Sequence, residues 1–439
     1  PELEGCGFFA SSLPPCPPFT FPDPNTTAVL FQSGPSSQDA DSHEIRFDGT
    51  AFDDRVTWRL GYYHSEVEDK IFINSVESRR SLLQDPSGQT ILASFPFPAS
   101  DFKDEMDAVY GAIGFTFADI WTLDLEGRYT DEEREQKTSS LPSEDWDYFT
   151  PRISLKADVT PDWMLYGSVA KGVKSGGFNT VTADPGFETY DEEKNWTYEL
   201  GGKQTLFDGA LALNYAVFYV DWDDLQLTTA DVVPTNPPQT DSNFIANVSE
   251  ASSYGAELEL VALLWENWQV NFAGSYVKPE FGDDALDFGL GAQCALSNNP
   301  VCPSVTVTRP GLPDANASPI DDNQLARTPQ WQLAAGLEYF NQFAGGWEYR
   351  LRGDVSYQDE QYGDNLNLSE LPDRTIVDLN FTLTTPDQDF SVTLWGKNVT
   401  DEDYVSNSFI VAFVNSYGAS LAPGASWGLT GRYAFGGSR

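Results

Sequence analysis

From Trp347 to Gln358 the chain reads WEYRLRGDVSYQ. Its odd positions carry Trp347, Tyr349, Leu351, Gly353, Val355 and Tyr357, and its even positions carry Glu348, Arg350, Arg352, Asp354, Ser356 and Gln358. A period of two belongs to a β-strand, whose successive side chains point to opposite faces. Strands of soluble sheets run about 5–6 residues. This alternation persists for about twice that, close to the ~9–11 residues with which a tilted strand crosses a bilayer. One face must therefore meet an apolar medium along its whole length, and that medium is either a protein core or lipid.

The same alternation, with turn signals between, predicts about fifteen strands. They fall near 42–50, 55–65, 105–117, 121–137, 147–157, 163–173, 191–206, 210–228, 244–263, 268–278, 329–341, 346–359, 374–384, 390–400 and 425–435. In 121–130, Trp121, Leu123, Leu125 and Tyr129 alternate with Thr122, Asp124, Glu126, Arg128 and Thr130. Such charged faces need a wet environment or close pairing. The lumen of a wide barrel supplies the first.

Connections alternate in length. Short turns fall near 51–54, 118–120, 158–162, 207–209, 264–267, 342–345 and 385–389. Each is followed by a long loop, near 66–104, 138–146, 174–190, 229–243, 279–328, 360–373 and 401–424. A soluble sandwich has no reason to sort its loops by end, whereas an outer-membrane barrel has short periplasmic turns and long outer loops. Trp121, Trp163, Trp268, Trp347 and Phe390 each open a strand after a short turn. Such a row fits a periplasmic aromatic girdle at the membrane–water boundary.

Mean hydropathy is negative, at −0.36, and no apolar run is long enough for a transmembrane helix. A membrane reading therefore requires a closed barrel. The net charge of −42, from 67 acids against 25 bases, argues against nucleic acid as a partner, because phosphate backbones select Lys and Arg. Solvated loops account for the excess, and divalent cations held between acidic loops and anionic lipid headgroups are the sharper alternative.

Four cysteines form two close pairs, Cys6 with Cys16 and Cys294 with Cys302, both in Pro-, Ser- and Asn-rich stretches. Local pairs in loops point to two small disulfides and an oxidising compartment, with free thiols as the alternative. Their spacing is not that of a CxxC motif, and His43 and His64 are the chain's two histidines, so no metal centre is expected. The chain opens on PELEGCGFFA without a signal peptide. An exported protein carries a leader, so removal of the start by processing or truncation is expected.

Fifteen strands is an odd number, and bacterial single-chain barrels have even ones. With short turns in the periplasm the first and last strands both descend, which makes 1–41 an extracellular loop, 42–435 a C-terminal barrel portion and 436–439 an extension. An open edge cannot face lipid, so an upstream segment or a second chain is expected to complete the wall. LYGSVAKGVKSGGFN (165–179), NWTYELGGKQTLFDGALALNYAVFYVDWDDLQL (195–227), NVSEASSYGAELEL (247–260), LWGKNVTDEDY (394–404) and SWGLTGRYAF (426–435) resemble, in order, segments of TonB-dependent outer-membrane receptors. That resemblance implies an all-β transmembrane antiparallel barrel of 22 strands, of which the first seven, the N-terminal plug and the TonB box are absent here. It also implies energised uptake of a scarce ligand through the TonB complex, a ferric siderophore being the commonest. Members of the family it resembles usually end at the terminal aromatic residue, whereas GGSR follows Phe435.

No catalytic constellation is present: GxSxG, HExxH and a phosphate-binding Gly-rich loop are all missing, and neither an enzyme activity nor a cofactor is expected. Candidate ligand-binding residues are positional. Trp146, Tyr148, Phe149, Phe178, Phe187 and Tyr190 gather near the outer rim, and Lys171 and Lys174 stand out in an anionic chain as partners for an anionic ferric chelate. The alternative makes these aromatics an outer girdle and has the lysines meet lipid phosphates, with membrane lipid and lipopolysaccharide as partners. A passive porin and a surface adhesin or scaffold are the competing functions.

Overall fold

The structure, a computed structural model, describes residues 28–33, 36–71, 75–80, 91–95, 100–137, 143–179, 186–233, 239–248, 250–289, 294, 302–312, 314–411 and 416–435. Fifteen strands form one sheet: β1 (Ser36–Ala51), β2 (Val56–Ile71), β3 (Ser100–Phe117), β4 (Trp121–Gln136), β5 (Glu144–Thr160), β6 (Trp163–Lys174), β7 (Glu193–Leu206), β8 (Leu211–Asp223), β9 (Glu250–Leu264), β10 (Trp268–Phe281), β11 (Trp331–Gln342), β12 (Glu348–Gln358), β13 (Arg374–Thr384), β14 (Phe390–Lys397) and β15 (Ser426–Tyr433). Each pairs antiparallel with the next in chain order. The sheet is open, and its edges β1 and β15 do not pair with each other.

The alternation read from the sequence becomes two chemically opposite faces. Leu351, Phe381, Leu394 and Leu429 stand in one register row across β12 to β15. The adjacent row on the other face is Arg352, Asn380, Trp395 and Gly428. On the opposite flank, Trp58, Ile113, Leu125 and Ile153 form a row across β2 to β5 and are all exposed. Among the described residues no layer covers them, so the apolar face is built to be solvated by something other than water. The polar face is knit by ion pairs: Arg352 reaches Asp354 at 2.6 Å, and Arg350 reaches Glu338 at 3.0 Å.

All short turns lie at one end, and left-handed residues make them tight. Asp53 and Asp54, and again Asp208 and Gly209, have positive φ. The amides of Arg55 and Ala210 close these turns on the Phe52 and Phe207 carbonyls. Positive φ at both central positions matches the strand twist of a hairpin, which favours Asp, Asn and Gly. At the other end, strands extend the sheet past the bounds expected from the sequence. β1 begins at Ser36 rather than near 42, and β3 begins at Ser100 rather than near 105.

The long connections carry structure of their own. Ala28–Ser33, Ser75–Arg80 and Ile91–Phe95 make a three-stranded sheet. Gln226–Val233 pairs with Gln239–Asn247, and Val405–Val411 pairs with Ser416–Leu421. The segments expected as single strands over 210–228 and 244–263 thus each divide in two, with a break at Asp224–Leu225 and another after Asn247. Leu225, Val248, Ala251, Phe281, Ala285 and Ile320 pack there into a small buried core, with Trp222, Leu227, Leu325 and Leu366 against it. Cys294 and Cys302 are disulfide-bonded in the same region, whereas Cys6 and Cys16 lie outside the described residues.

Candidate functional site

The chain leaves β6 through Ser175, Gly176 and Gly177, and Gly177–Phe178 then pairs with Thr189–Tyr190. This turn needs glycine for close approach. A Cβ on Gly176 would meet the Trp146 indole at 2.6 Å, and one on Gly177 would meet Arg134 Nη1 at 2.8 Å and the Tyr190 ring. Three side chains from different elements are thereby drawn onto one backbone.

Glu132 and Arg134 reach this turn from the polar face of β4. Glu132 is buried and accepts hydrogen bonds from the Tyr148 hydroxyl, at 3.2 Å, and from the Ser175 hydroxyl. Arg134 forks onto Asp104 at 2.6 and 3.1 Å and donates to the Gly176 carbonyl at 3.1 Å. A guanidinium fork is the geometry that fixes a carboxylate most firmly. Burial pushes the Tyr190 hydroxyl above the usual phenol range, and the nearby Arg134 charge works against that rise.

Carboxamides tie the surrounding loops. Asn179 is buried and donates to the Phe187 and Ile245 carbonyls at 2.7 and 2.8 Å, and it accepts from the Ile245 amide at 2.7 Å. Gln226 donates to the Ser175 and Asp191 carbonyls at 2.9 and 3.0 Å. Asn247 accepts from the Asp191 amide at 2.8 Å and donates to the Asp224 carbonyl at 2.9 Å. These bonds satisfy backbone groups where the long hairpin departs from the sheet ladder.

Of the eight candidate binding residues, four meet at this node: Trp146, Tyr148, Phe178 and Tyr190. Phe187 joins them through Asn179, and its ring lies 5.2 Å from that of Phe288 with the Arg309 guanidinium 5.0 Å away. Lys174 is exposed beside the node, opposite Glu193. Phe149 and Lys171 are elsewhere. Phe149 stands in register with Tyr129, and Lys171 with Trp196, on the apolar face. The residues not anticipated are Glu132, Arg134, Asp104, Gln226, Asn179 and Asn247. Thr130, Glu132, Arg134 and Gln136 at every second position of β4 were the available sign.

The five aromatics expected at a girdle, Trp121, Trp163, Trp268, Trp347 and Phe390, lie at the short-turn end. In-strand partners extend the row: Trp268 contacts Tyr339 at 4.7 Å, and the Trp163 indole donates to the Tyr215 hydroxyl at 3.3 Å. Among the described residues, one group brings metal-ligand atoms together, His64, Glu105 and Asp107, and it lies on the other face of the sheet from the node, with Glu105 next to Asp104 in β3.

Beyond the node, three outer connections interlock. Asn323 donates to the Asn365 carbonyl at 2.9 Å, and Asn367 exchanges two 2.8 Å bonds with the Gln324 backbone. Arg327 donates from its amide to the Tyr362 carbonyl at 2.7 Å and from its guanidinium to the Ser408 carbonyl at 3.2 Å.

An open antiparallel sheet with one lipid-compatible face, one charged face, tight turns at one end and folded loops at the other is the wall of an outer-membrane barrel. The chain belongs to the TonB-dependent receptor-like β-barrel family, whose profile matches residues 76–399. That is a Gram-negative outer-membrane family of transport receptors rather than enzymes. The ferric yersiniabactin uptake receptor FyuA of Yersinia pestis superposes with a TM-score of 0.67 at 17% identity, over 92% of this chain and 55% of that one. The ferripyoverdine receptor of Pseudomonas aeruginosa gives 0.63 at 18% identity, over 91% of this chain and 48% of that one. In sequence, the pesticin receptor of Yersinia pestis is 32% identical over 135 residues, 30% of this chain and 19% of its own length. The probable siderophore receptor PiuA of Acinetobacter baumannii is 25% identical over 288 residues, 63% of this chain and 34% of its own length. The chain therefore spans about half the length of the solved relatives it matches.

Proposed function

We propose that this chain forms the wall of a receptor that captures a ferric siderophore outside the cell and passes it inward with energy from the TonB complex. The observation that carries the reading is the Glu132–Arg134–Tyr148–Tyr190 node. It sits on the charged face, at the end with long connections, beside loops tied by the Asn179, Gln226 and Asn247 carboxamides. Aromatic rings suit the apolar and aryl surfaces of a bulky chelate, and a guanidinium suits its anionic oxygens. Trp146, Tyr148, Phe187, Tyr190 and Lys174 are the contacts assigned to it. Phe149 and Lys171, on the apolar face, are assigned instead to the lipid and lipopolysaccharide boundary. The row from Trp121 to Phe390 serves as the periplasmic girdle. The edges β1 and β15 pair with further strands, from the longer protein or from a second chain, because unpaired edge groups in hydrocarbon cost several kcal/mol each.

Transport of radiolabelled ferric siderophores into cells with and without a working TonB complex tests this. Accumulation that needs both the receptor and TonB supports it. Steady ion conductance in a planar bilayer, with uptake indifferent to TonB, overturns it in favour of a porin.

A further inference from the structure

The chain has two histidines, and the sheet sets them against each other. His43 of β1 is the register partner of His64 of β2. Their rings are parallel to within 4°, with centroids 6.5 Å apart. Both share the parity of the apolar face, and both stand one row above Ile45, Tyr62, Val109, Tyr129 and Phe149. Up to that row every side chain on this flank suits lipid. At the next, the row runs His43, His64, Asp107, Asp131 and Asp147. The switch places imidazole and carboxylate side by side where the wall emerges from its apolar belt.

The geometry is local and specific. His64 Nδ1 lies 3.0 Å from Asp107 Oδ1. Glu105 stands two residues before Asp107 on the same face of β3, and His64, Glu105 and Asp107 each offer a ligand atom within 4.8 Å of the others. A period-two strand supplies the two carboxylates, and its neighbour supplies the imidazole. The Tyr62 hydroxyl donates to Asp107 at 2.5 Å. Lys103 bridges Glu105 and Glu66 at 3.1 and 2.9 Å, which lowers the repulsion between carboxylates and leaves it Glu66 to hold once Glu105 turns to an ion.

We propose that His64, Glu105 and Asp107 form a binding site for a divalent transition-metal ion of the zinc class on the outward rim of the wall, with His43 stacked on His64 as a positioning residue. Exposed carboxylates alone would give no such reading; the imidazole does. One nitrogen and two oxygens make a borderline-soft ligand set, which suits Zn²⁺ and its neighbours better than Mg²⁺ or Ca²⁺ with their all-oxygen shells. His64 presents the Nδ1 lone pair to the ion, and Asp107 exchanges its hydrogen bond from that nitrogen for a bond to the metal. Tyr62 stays on Asp107 and orients it, as outer hydrogen-bond donors do at metal centres. Three protein ligands leave open positions for water. A bound ion would rivet β2 to β3 close to the open edge at β1. This site is independent of the siderophore reading.

The test is calorimetric titration of Zn²⁺ alone into the detergent-solubilised, chelator-stripped protein. One saturable ion per chain is expected. His64→Gln and Asp107→Asn should weaken it about ten-fold or more, while Asp147→Asn, on the same face but two strands away from Asp107, leaves it unchanged. Heat-modifiable migration checks that each variant is folded. For a variant that does not fold, protection of His64 in the unaltered protein from diethyl pyrocarbonate, with Zn²⁺ present, gives the same decision. Absence of stoichiometric binding, a His64→Gln affinity equal to that of the unaltered protein, unprotected His64, or equal competition by Ca²⁺ would each overturn the proposal.

Discussion

Leu379 tests the membrane assignment of the apolar face most directly. It lies five residues up β13 from the short-turn end at Thr384. A strand tilted ~40° gains about 2.6 Å of depth per residue, so Leu379 sits ~13 Å into a band ~25 Å tall, near its middle. Its row neighbours are Gly353 and Gly396, followed by Trp427, so an arginine there finds no carboxylate in its row. Leu379→Arg should cost about 2–4 kcal/mol. Asn380→Glu, one residue on, facing the other way and opposite Arg352, should cost no more than about 0.5 kcal/mol. Equilibrium urea unfolding of the receptor from lipid vesicles, with the midpoint shift multiplied by the slope, reads both. If Leu379→Arg were as stable as the parent, the exposed apolar face would not be solvated by hydrocarbon. The membrane reading would then fall even though the strands were right.

Other expectations follow from the node and the loops. Gly177→Val drives a side chain into Tyr190 and Arg134, so ligand affinity should drop at least about ten-fold, by equilibrium binding, in a barrel whose heat-modifiable migration is unchanged. Asn179→Ala strands the Phe187 and Ile245 backbone groups and should destabilise the departing hairpin by about 1–3 kcal/mol, seen as faster amide exchange over Gln239–Asn247. The Cys294–Cys302 bridge closes a short loop, of sequence separation 8, and its loss in Cys294→Ser should cost that loop about 2–3 kcal/mol, measured by limited proteolysis. The raised Tyr190 hydroxyl binds its proton more tightly in the folded chain. It therefore adds stability that is complete below the unfolded phenol value and is lost as pH rises through the folded one, a loss that Tyr190→Phe should abolish in alkaline denaturation.

The wall was legible because its physics is local. Each of the fifteen strands declares its two faces within its own residues, and Asp-, Gly- and Asn-bearing turns separate them. The node was not, because its partners are far apart in sequence. Arg134 meets Asp104 and Gly176, 30 and 42 positions away, and nothing near Arg134 announces either. Phe149 shows a finer limit. It adjoins Tyr148, and neighbours in a strand cannot share a face, so both could not line one pocket. The parity needed to choose between them was already in the sequence. The division at Asp224 was hidden for the opposite reason: alternation continues on both sides of a left-handed residue, so the pattern stays smooth where the backbone breaks.

The interlocking of Asn323, Gln324, Arg327, Asn365, Asn367 and Ser408 has a mechanical consequence. Side-chain amides gripping another segment's backbone do not stretch; they hold or they let go. The three crowning segments should therefore tilt as one plate, and a disturbance at Asn367 should be felt at Ser408 although neither touches the other.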